Sequence, residues 1–146
     1  MLTCGWLIWL VVATPGCGVS DSHQPIDHKD DSPAYREQVW RAVSQRVNSD
    51  LTPLPTDTLL DGTWNVELEM MGNRLPFAKY EFDDGSSVSV TLTVQENGPT
   101  SLVPYHIPDE GRFSLDGEIY HAATTMRDEL VLFNGDQSLV LVATKQ

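Results

Sequence analysis

Paired carboxylates are the side chains of this 146-residue sequence that come closest to an acid–base site. Glu67 is followed by Glu69, and Asp128 by Glu129. General acid–base catalysis needs two such groups at a set distance across a substrate. Two carboxylates on one outer face of a strand are instead typical of a solvated surface. We therefore expect no catalytic residue and a protein that is not an enzyme.

Histidines offer the other possible chemistry, which is metal binding. His106 and His121 lie in segments with strand-like alternation, and the spacing assigns them no third ligand. A second group lies between residues 18 and 31, where flexible linkers use such residues for solvation: His23, Asp27, His28, Asp30 and Asp31. The chain also lacks a phosphate-binding loop and a dinucleotide-binding motif. We predict no metal site and no cofactor.

Cys17 ends a short apolar stretch, residues 7–13, after the small-residue turn Thr14-Pro15-Gly16. A membrane-spanning helix needs about 20 apolar residues, so this stretch is too short to be one. The other cysteine is Cys4. If residues 1–16 are removed as a signal peptide, the mature chain has no disulfide and no thiolate pair for redox or metal chemistry.

The Gly16-Cys17 junction after an apolar core resembles a bacterial lipoprotein signal. That resemblance implies acylation of Cys17, which would become the first mature residue and anchor an exported protein to a membrane of the bacterial cell envelope. Two alternatives stay open: ordinary cleavage near Ala13 or Gly16, which gives a periplasmic or secreted protein, and a start that is not cleaved.

Charge limits the possible partners. Nine Lys and Arg against 21 Asp and Glu give a formal net charge of -12. A phosphate-binding surface needs a basic patch, so nucleic acid is not expected as a partner. The acidity is interpreted as solubility, with an acidic surface for a cationic partner as the alternative.

The segments after Cys17 differ in periodicity. Residues 17–31 have none and are predicted to be a flexible acidic tether. Residues 32–48 are predicted to form an amphipathic helix, since Ser32 or Asp31 can cap it and an apolar stripe recurs every four residues. The stripe consists of Tyr35, Val39, Val43 and Val47, with Trp40 beside it. It could pack on the following domain or lie on a membrane surface next to a lipidated Cys17.

Residues 49–58 are predicted to be a Pro-rich extended connector, and residues 59–146 an antiparallel β domain. Apolar and polar residues alternate there, as in Val88, Val90, Leu92 and Val94. Turn sequences such as Asp116-Gly117 separate about eight short strands. The fold class is therefore mainly β, an antiparallel meander that forms a small barrel or a curved sheet, preceded by one amphipathic helix.

The start of the first long strand, Leu60-Asp61-Gly62-Thr63-Trp64, resembles the start of a lipocalin-like domain. Tyr80-Glu81-Phe82, Tyr105 and Asp128-Glu129-Leu130-Val131-Leu132 follow in the order seen in small bacterial lipocalin-like proteins. The resemblance implies a barrel with an interior for a ligand. The candidate ligand-binding residues are aromatic and could equally be core residues: Trp64, Tyr80, Phe82, Tyr105 and Phe113.

Two functions fit these observations. The first is a non-catalytic, membrane-tethered binding module for a small apolar ligand or a peptide. The second is a structural or interaction protein of the cell envelope, whose barrel is filled by its own side chains and binds an envelope protein. The volume of the barrel interior distinguishes them, because a carrier needs a cavity for its ligand.

Overall fold

The computed structural model describes residues 32–83 and 85–146. The predicted signal peptide, residues 1–16, the proposed lipid attachment site Cys17 and the predicted tether, residues 17–31, lie outside the described residues and stay predictions. Backbone contacts divide the chain after Glu37. The barrel and residues 38–47 of the preceding helix lie within one unit, Gln38–Gln146.

Helix α1 (Pro33–Val47) begins and ends with recognisable caps. The backbone N–H of Tyr35 donates to Ser32 Oγ at 3.2 Å, so Ser32 is the N-cap. At the other end, Asn48 has a φ of 54°, and the N–H of Ser49 donates to the carbonyl of Ser44 at 3.1 Å. Within residues 32–83 and 85–146, no helix has both the length and the apolar character to cross a membrane.

The described residues contain these strands: β1 (Thr52–Pro53), β2 (Gly62–Met70), β3 (Asn73–Phe82), β4 (Ser87–Leu92), β5 (Thr100–His106), β6 (Arg112–Leu115), β7 (Glu118–Thr124), β8 (Leu130–Phe133) and β9 (Val140–Lys145). From β2 to β9, each strand pairs antiparallel with the next in chain order, and β9 pairs back with β2. The eight strands therefore form a closed antiparallel barrel, preceded by a helix. This confirms the predicted fold class and selects the barrel over the curved sheet.

Strand β1 lies in the segment predicted to be an extended connector. It pairs with β7 through Thr52 opposite Thr124 and Pro53 opposite Ala123. Strand β6 pairs only with the first half of β7, so β1 occupies the same side of β7 beyond the end of β6. Two residues of the predicted connector thus add a short strand to the barrel wall.

Strand β3 extends well before Tyr80 and Phe82. It starts at Asn73, directly after a turn in which Met71 and Gly72 have φ values of 52° and 87°. Pro76 lies within it, opposite Glu67, where the register between β2 and β3 shifts. Because β4 pairs with β3 only from Ala78 onward, the missing N–H of Pro76 leaves no β4 partner unsatisfied.

Strands β8 and β9 are buried on both faces over most of their length. Leu132 and Leu141 belong to the core inside the barrel, whereas their neighbours Val131, Phe133 and Val142 point outward and are also fully buried. Residues 38–47 of helix α1 cover this outer surface. Three members of the predicted stripe, Val39, Val43 and Val47, are buried, and Trp40 meets Phe133 edge-to-face at 5.2 Å. This part of the stripe therefore packs on the barrel.

An ion pair fixes the helix against the upper end of the barrel, which is the end where β2 ends and β9 begins. Arg46 contacts the carboxylate of Glu69 at 2.6 Å and also donates to the carbonyl of Gln137 at 2.8 Å. Glu69 is only 3% exposed, and its other oxygen accepts the N–H of Gly72 at 2.8 Å. The expectation that Glu67 and Glu69 form a solvated pair is wrong for Glu69, because the helix covers that side of β2.

Glu129 departs from the same expectation. It is 6% exposed and contacts Arg74 at 2.8 Å and Arg127 at 3.3 Å. Its burial raises the pKa of the carboxyl, but Arg74, Arg127 and Thr125 outweigh that effect, and the pKa lies below its usual value. Both buried carboxylates are therefore neutralised by arginines on other segments of the chain.

We expect Arg46→Met to lower the free energy of unfolding by about 2 kcal/mol, because it leaves Glu69 buried without its cation. Urea unfolding followed by circular dichroism measures this. Lys79→Met is the control, since it breaks an ion pair with Glu81 whose side chains are 38% and 40% exposed, and it should change stability by less than about 0.5 kcal/mol. Equal losses in the two variants would contradict the structural importance of the buried pair.

Candidate ligand-binding site

Five aromatic side chains fill the lower part of the barrel interior, at the end where β2 begins and β9 ends. The rings of Phe82 and Tyr105 meet edge-to-face at 4.9 Å, and Tyr105 stacks on Phe113 at 5.6 Å. Trp64 and Tyr80 contact Phe82 at 6.5 Å and 6.3 Å. All five are buried. This end of the barrel is closed by its own side chains.

Trp64 closes the base of the barrel. Its Nε1–H donates to the carbonyl of Asp61 at 2.9 Å, which satisfies the polar group of a buried indole. The Asp61 carboxylate in turn contacts Lys145 at 2.6 Å, and its pKa is lowered by that hydrogen bond and by the lysine charge. The start of β2 and the end of β9 are thus joined around the tryptophan.

The opposite end of the barrel is open beside the β6–β7 hairpin. Strand β6 has only four residues and turns at Asp116 and Gly117, whose φ values are 52° and 85°. The N–H of Asp116 donates to the carbonyl of Pro104 at 2.9 Å, which places the hairpin tip halfway along β5. Strand β5 continues from there up to Thr100. The inner faces of β4 and β5 therefore rise above the neighbouring wall.

A pocket of about 330 Å³ lies at this open end of the barrel, beside the short β6–β7 hairpin. Its lining consists of Val90, Leu92, Pro99, Ser101, Val103, Leu115, Asp116, Glu118 and Tyr120. Val90, Leu92, Val103 and Leu115 are inward-facing side chains of β4, β5 and β6, Pro99 precedes β5, and the two carboxylates lie on the β6–β7 hairpin. The pocket therefore has apolar walls and an acidic rim.

Tyr120 connects the wall of the pocket to its rim. Its hydroxyl donates to Glu118 Oε2 at 2.7 Å. Burial raises the pKa of Tyr120 to about 12, with further contributions from the hydrogen bond to Glu118, from the charge of Glu118 and from Tyr80. At neutral pH the hydroxyl is protonated and holds the carboxylate in place.

The five predicted ligand-binding residues contact one another, but the pocket lining does not include them. Tyr105 borders a separate cleft of about 220 Å³ at the lower end, beside His106 and Leu59. Contact between the aromatic cluster and a ligand stays a prediction.

The two strand histidines lie on different surfaces. His106 is exposed at the end of β5, and His121 stacks on Phe133 at 5.2 Å on the outer face of the barrel beside Trp40. Among the residues that the structure describes, no three histidine, cysteine or acidic side chains are placed to hold a metal ion.

The alternation of Val90 and Leu92 is visible in the sequence, but no local pattern connects these residues to Leu115 and Tyr120. The signal for the pocket is the short interval between the turns around Gly111 and Gly117, which limits β6 to four residues. A strand shorter than its neighbours lowers the barrel wall. Which interior residues that exposes depends on the stagger between strands, and the alternation of residues does not report stagger.

The fold is a closed eight-stranded antiparallel barrel with an outer helix, and the site is an apolar pocket at its open end. No known family model matches the sequence, and no curated protein matches it. A solved structure of a Streptococcus pneumoniae protein provisionally described as a lipoprotein is similar to it with 16% sequence identity and a TM-score of 0.43. The match covers 64% of this chain and 100% of that chain. At this TM-score the likeness carries no argument about this protein.

Tyr80 makes the stability of the barrel sensitive to alkaline pH. Burial raises its pKa from 10.0 to about 12, so the folded state holds the proton more tightly than the unfolded chain. The resulting stabilisation is complete below pH 10.0 and is lost as the pH rises through about 12. We expect Tyr80→Phe to reduce the alkaline loss of unfolding free energy by about 2 kcal/mol, measured by urea unfolding at a series of pH values. Identical pH profiles for the two proteins would refute the prediction.

Proposed function

We propose that this protein is a non-catalytic binding module of lipocalin-like type that holds a small apolar ligand, or an apolar part of a peptide, in the pocket at the open end of its barrel. The supporting observation is the set of inward-facing apolar side chains that β6 leaves uncovered. Val90, Val103 and Leu115 are only partly buried although they point into the barrel. A ligand that covers them would remove apolar surface from water.

The volume of the pocket limits the ligand to a small one. About 330 Å³ is near the lower end of the roughly 300–1,000 Å³ typical of small-molecule sites. The aromatic cluster fills the interior below, so the ligand would enter from the open end and stay in the upper part of the barrel.

We also propose that the protein is exported from the cytoplasm. The apolar stretch and Cys17 support export and attachment to the bacterial cell envelope through a lipid, with release into the periplasm or medium if Cys17 is not acylated. A tether between Cys17 and α1 would let the barrel reach ligands or envelope proteins near the membrane.

A structural or interaction role is the second candidate, and the filled lower half of the barrel favours it. Large apolar side chains are also exposed on several loops, including Leu59, Met71 and Met126 at 87%, 95% and 84%. Such residues can contact a partner protein. In this case the upper pocket would bind no ligand.

Filling the pocket tests the binding function. Val103→Trp places a large ring among the lining residues, whereas Leu102→Trp adds the same ring to the outer face of the same strand, at a position 69% exposed. We expect wild type and Leu102→Trp to bind the neutral fluorophore N-phenylnaphthylamine in a saturable way, and Val103→Trp to bind at least about tenfold more weakly. Thermal unfolding establishes that both variants fold.

Saturable binding that Val103→Trp leaves unchanged would place the ligand elsewhere. Absence of binding to the wild type would favour the filled barrel and the interaction role.

Metabolic labelling with an alkyne fatty acid in a bacterial host tests the proposed anchor. We expect the full chain to be labelled and recovered with membranes, Cys17→Ser to lose the label, and Cys4→Ser to keep it. Label that persists in Cys17→Ser would rule out acylation at this position.

A further inference from the structure

We propose that the pocket selects ligands that carry a cationic head on an apolar body, such as a protonated alkylamine, and discriminates against carboxylates of the same length. This inference rests on the proposed binding function and specifies the chemical class of the ligand.

The position of the two carboxylates is the first reason. Leu115 pairs with Glu118 across the β6–β7 hairpin, and Asp116 forms its turn. Both acids therefore stand at the mouth of the pocket, above walls formed by Val90 and Val103. A ligand whose apolar part lies between those walls has its polar end beside the acids.

The second reason is that these carboxylates differ from the buried carboxylates elsewhere in the barrel. Glu69 and Glu129 each contact an arginine. Among the described residues, neither Asp116 nor Glu118 forms an ion pair, and the pocket lining contains no lysine or arginine. The mouth therefore carries negative charge that the barrel does not neutralise, and a carboxylate ligand would be repelled there.

The third reason is the orientation of Glu118. The hydroxyl of Tyr120 donates to Oε2. A carboxylate has further lone pairs and can accept a second donor, so Oε1 is available to an ammonium group in the mouth of the pocket. The hydroxyl of Tyr120 is a neutral donor, so it orients the Glu118 carboxylate without neutralising the negative charge that a cationic ligand would contact.

The test compares octylamine, octanol and octanoate, which share an apolar chain and differ in the head group. Binding is measured by NMR titration of the isotope-labelled protein at neutral pH, where the amine is protonated and the acid is ionised. We expect octylamine to bind on the order of tenfold more tightly than octanol, and octanoate to bind more weakly than octanol.

Charge-neutralising variants locate the preference. Glu118→Gln and Asp116→Asn should each reduce the ratio of the affinities for octylamine and octanol by roughly threefold or more. Glu110→Gln is the matched control, because it removes one exposed carboxylate from the loop at the opposite end of the barrel, residues 107–111. It should leave the advantage unchanged.

The outcomes separate this inference from the proposed function. Equal affinities for the three compounds, or tighter binding of octanoate, would overturn the head-group preference while the binding function stands. An equal effect of Glu110→Gln and Glu118→Gln would also overturn it, because the preference would then come from the net charge. Absence of binding by all three compounds, together with absence of fluorophore binding, would overturn the binding function itself.

Discussion

The pairing of β9 with β2 is the constraint on which the rest of the structure depends. Five backbone pairs, from Trp64 opposite Lys145 to Leu68 opposite Leu141, join the last strand to the first long one. A closed barrel has no free edge there, and its inward-facing side chains must share one enclosed space. The aromatic cluster around Phe82 fills the lower part of that space. Trp64 closes the lower end of the barrel, and its indole N–H donates a hydrogen bond to the backbone just before β2.

Closure also creates an outer surface that needs a cover. Strands β8 and β9 carry apolar residues in consecutive positions, so that one set fills the barrel and the other, including Val131 and Phe133, would face water. Helix α1 buries this second set against Val39 and Val43, and Arg46 bonds to Glu69 beside it. Residues 38–47 of the helix are therefore part of the folded domain, since removing them would expose both apolar surface and a buried carboxylate.

The pocket is the consequence of a mismatch in strand length. Because β6 ends after four residues while β5 extends from His106 to Thr100, β6 pairs only with Tyr105 and His106, and the rest of β5 has no β6 neighbour beside it. The same short hairpin places Asp116 and Glu118 at the opening. A single feature of the barrel wall thus sets both the apolar walls of the site and the charge at its entrance, which is why the proposed function and the preferred ligand class are linked.

Alternation, periodicity and turn chemistry are local properties, so the fold class, the buried positions Val39, Val43 and Val47 and the Asp116-Gly117 turn are predictable from the sequence alone. The sequence also indicated that Trp64 and Phe82 belong to an apolar interior. The closure of the meander, the burial of Glu69 and the position of the pocket beside Tyr120 are visible only in the folded chain. These depend on strand stagger and on contacts between residues far apart in the chain, such as Arg46 with Glu69, which no local pattern encodes.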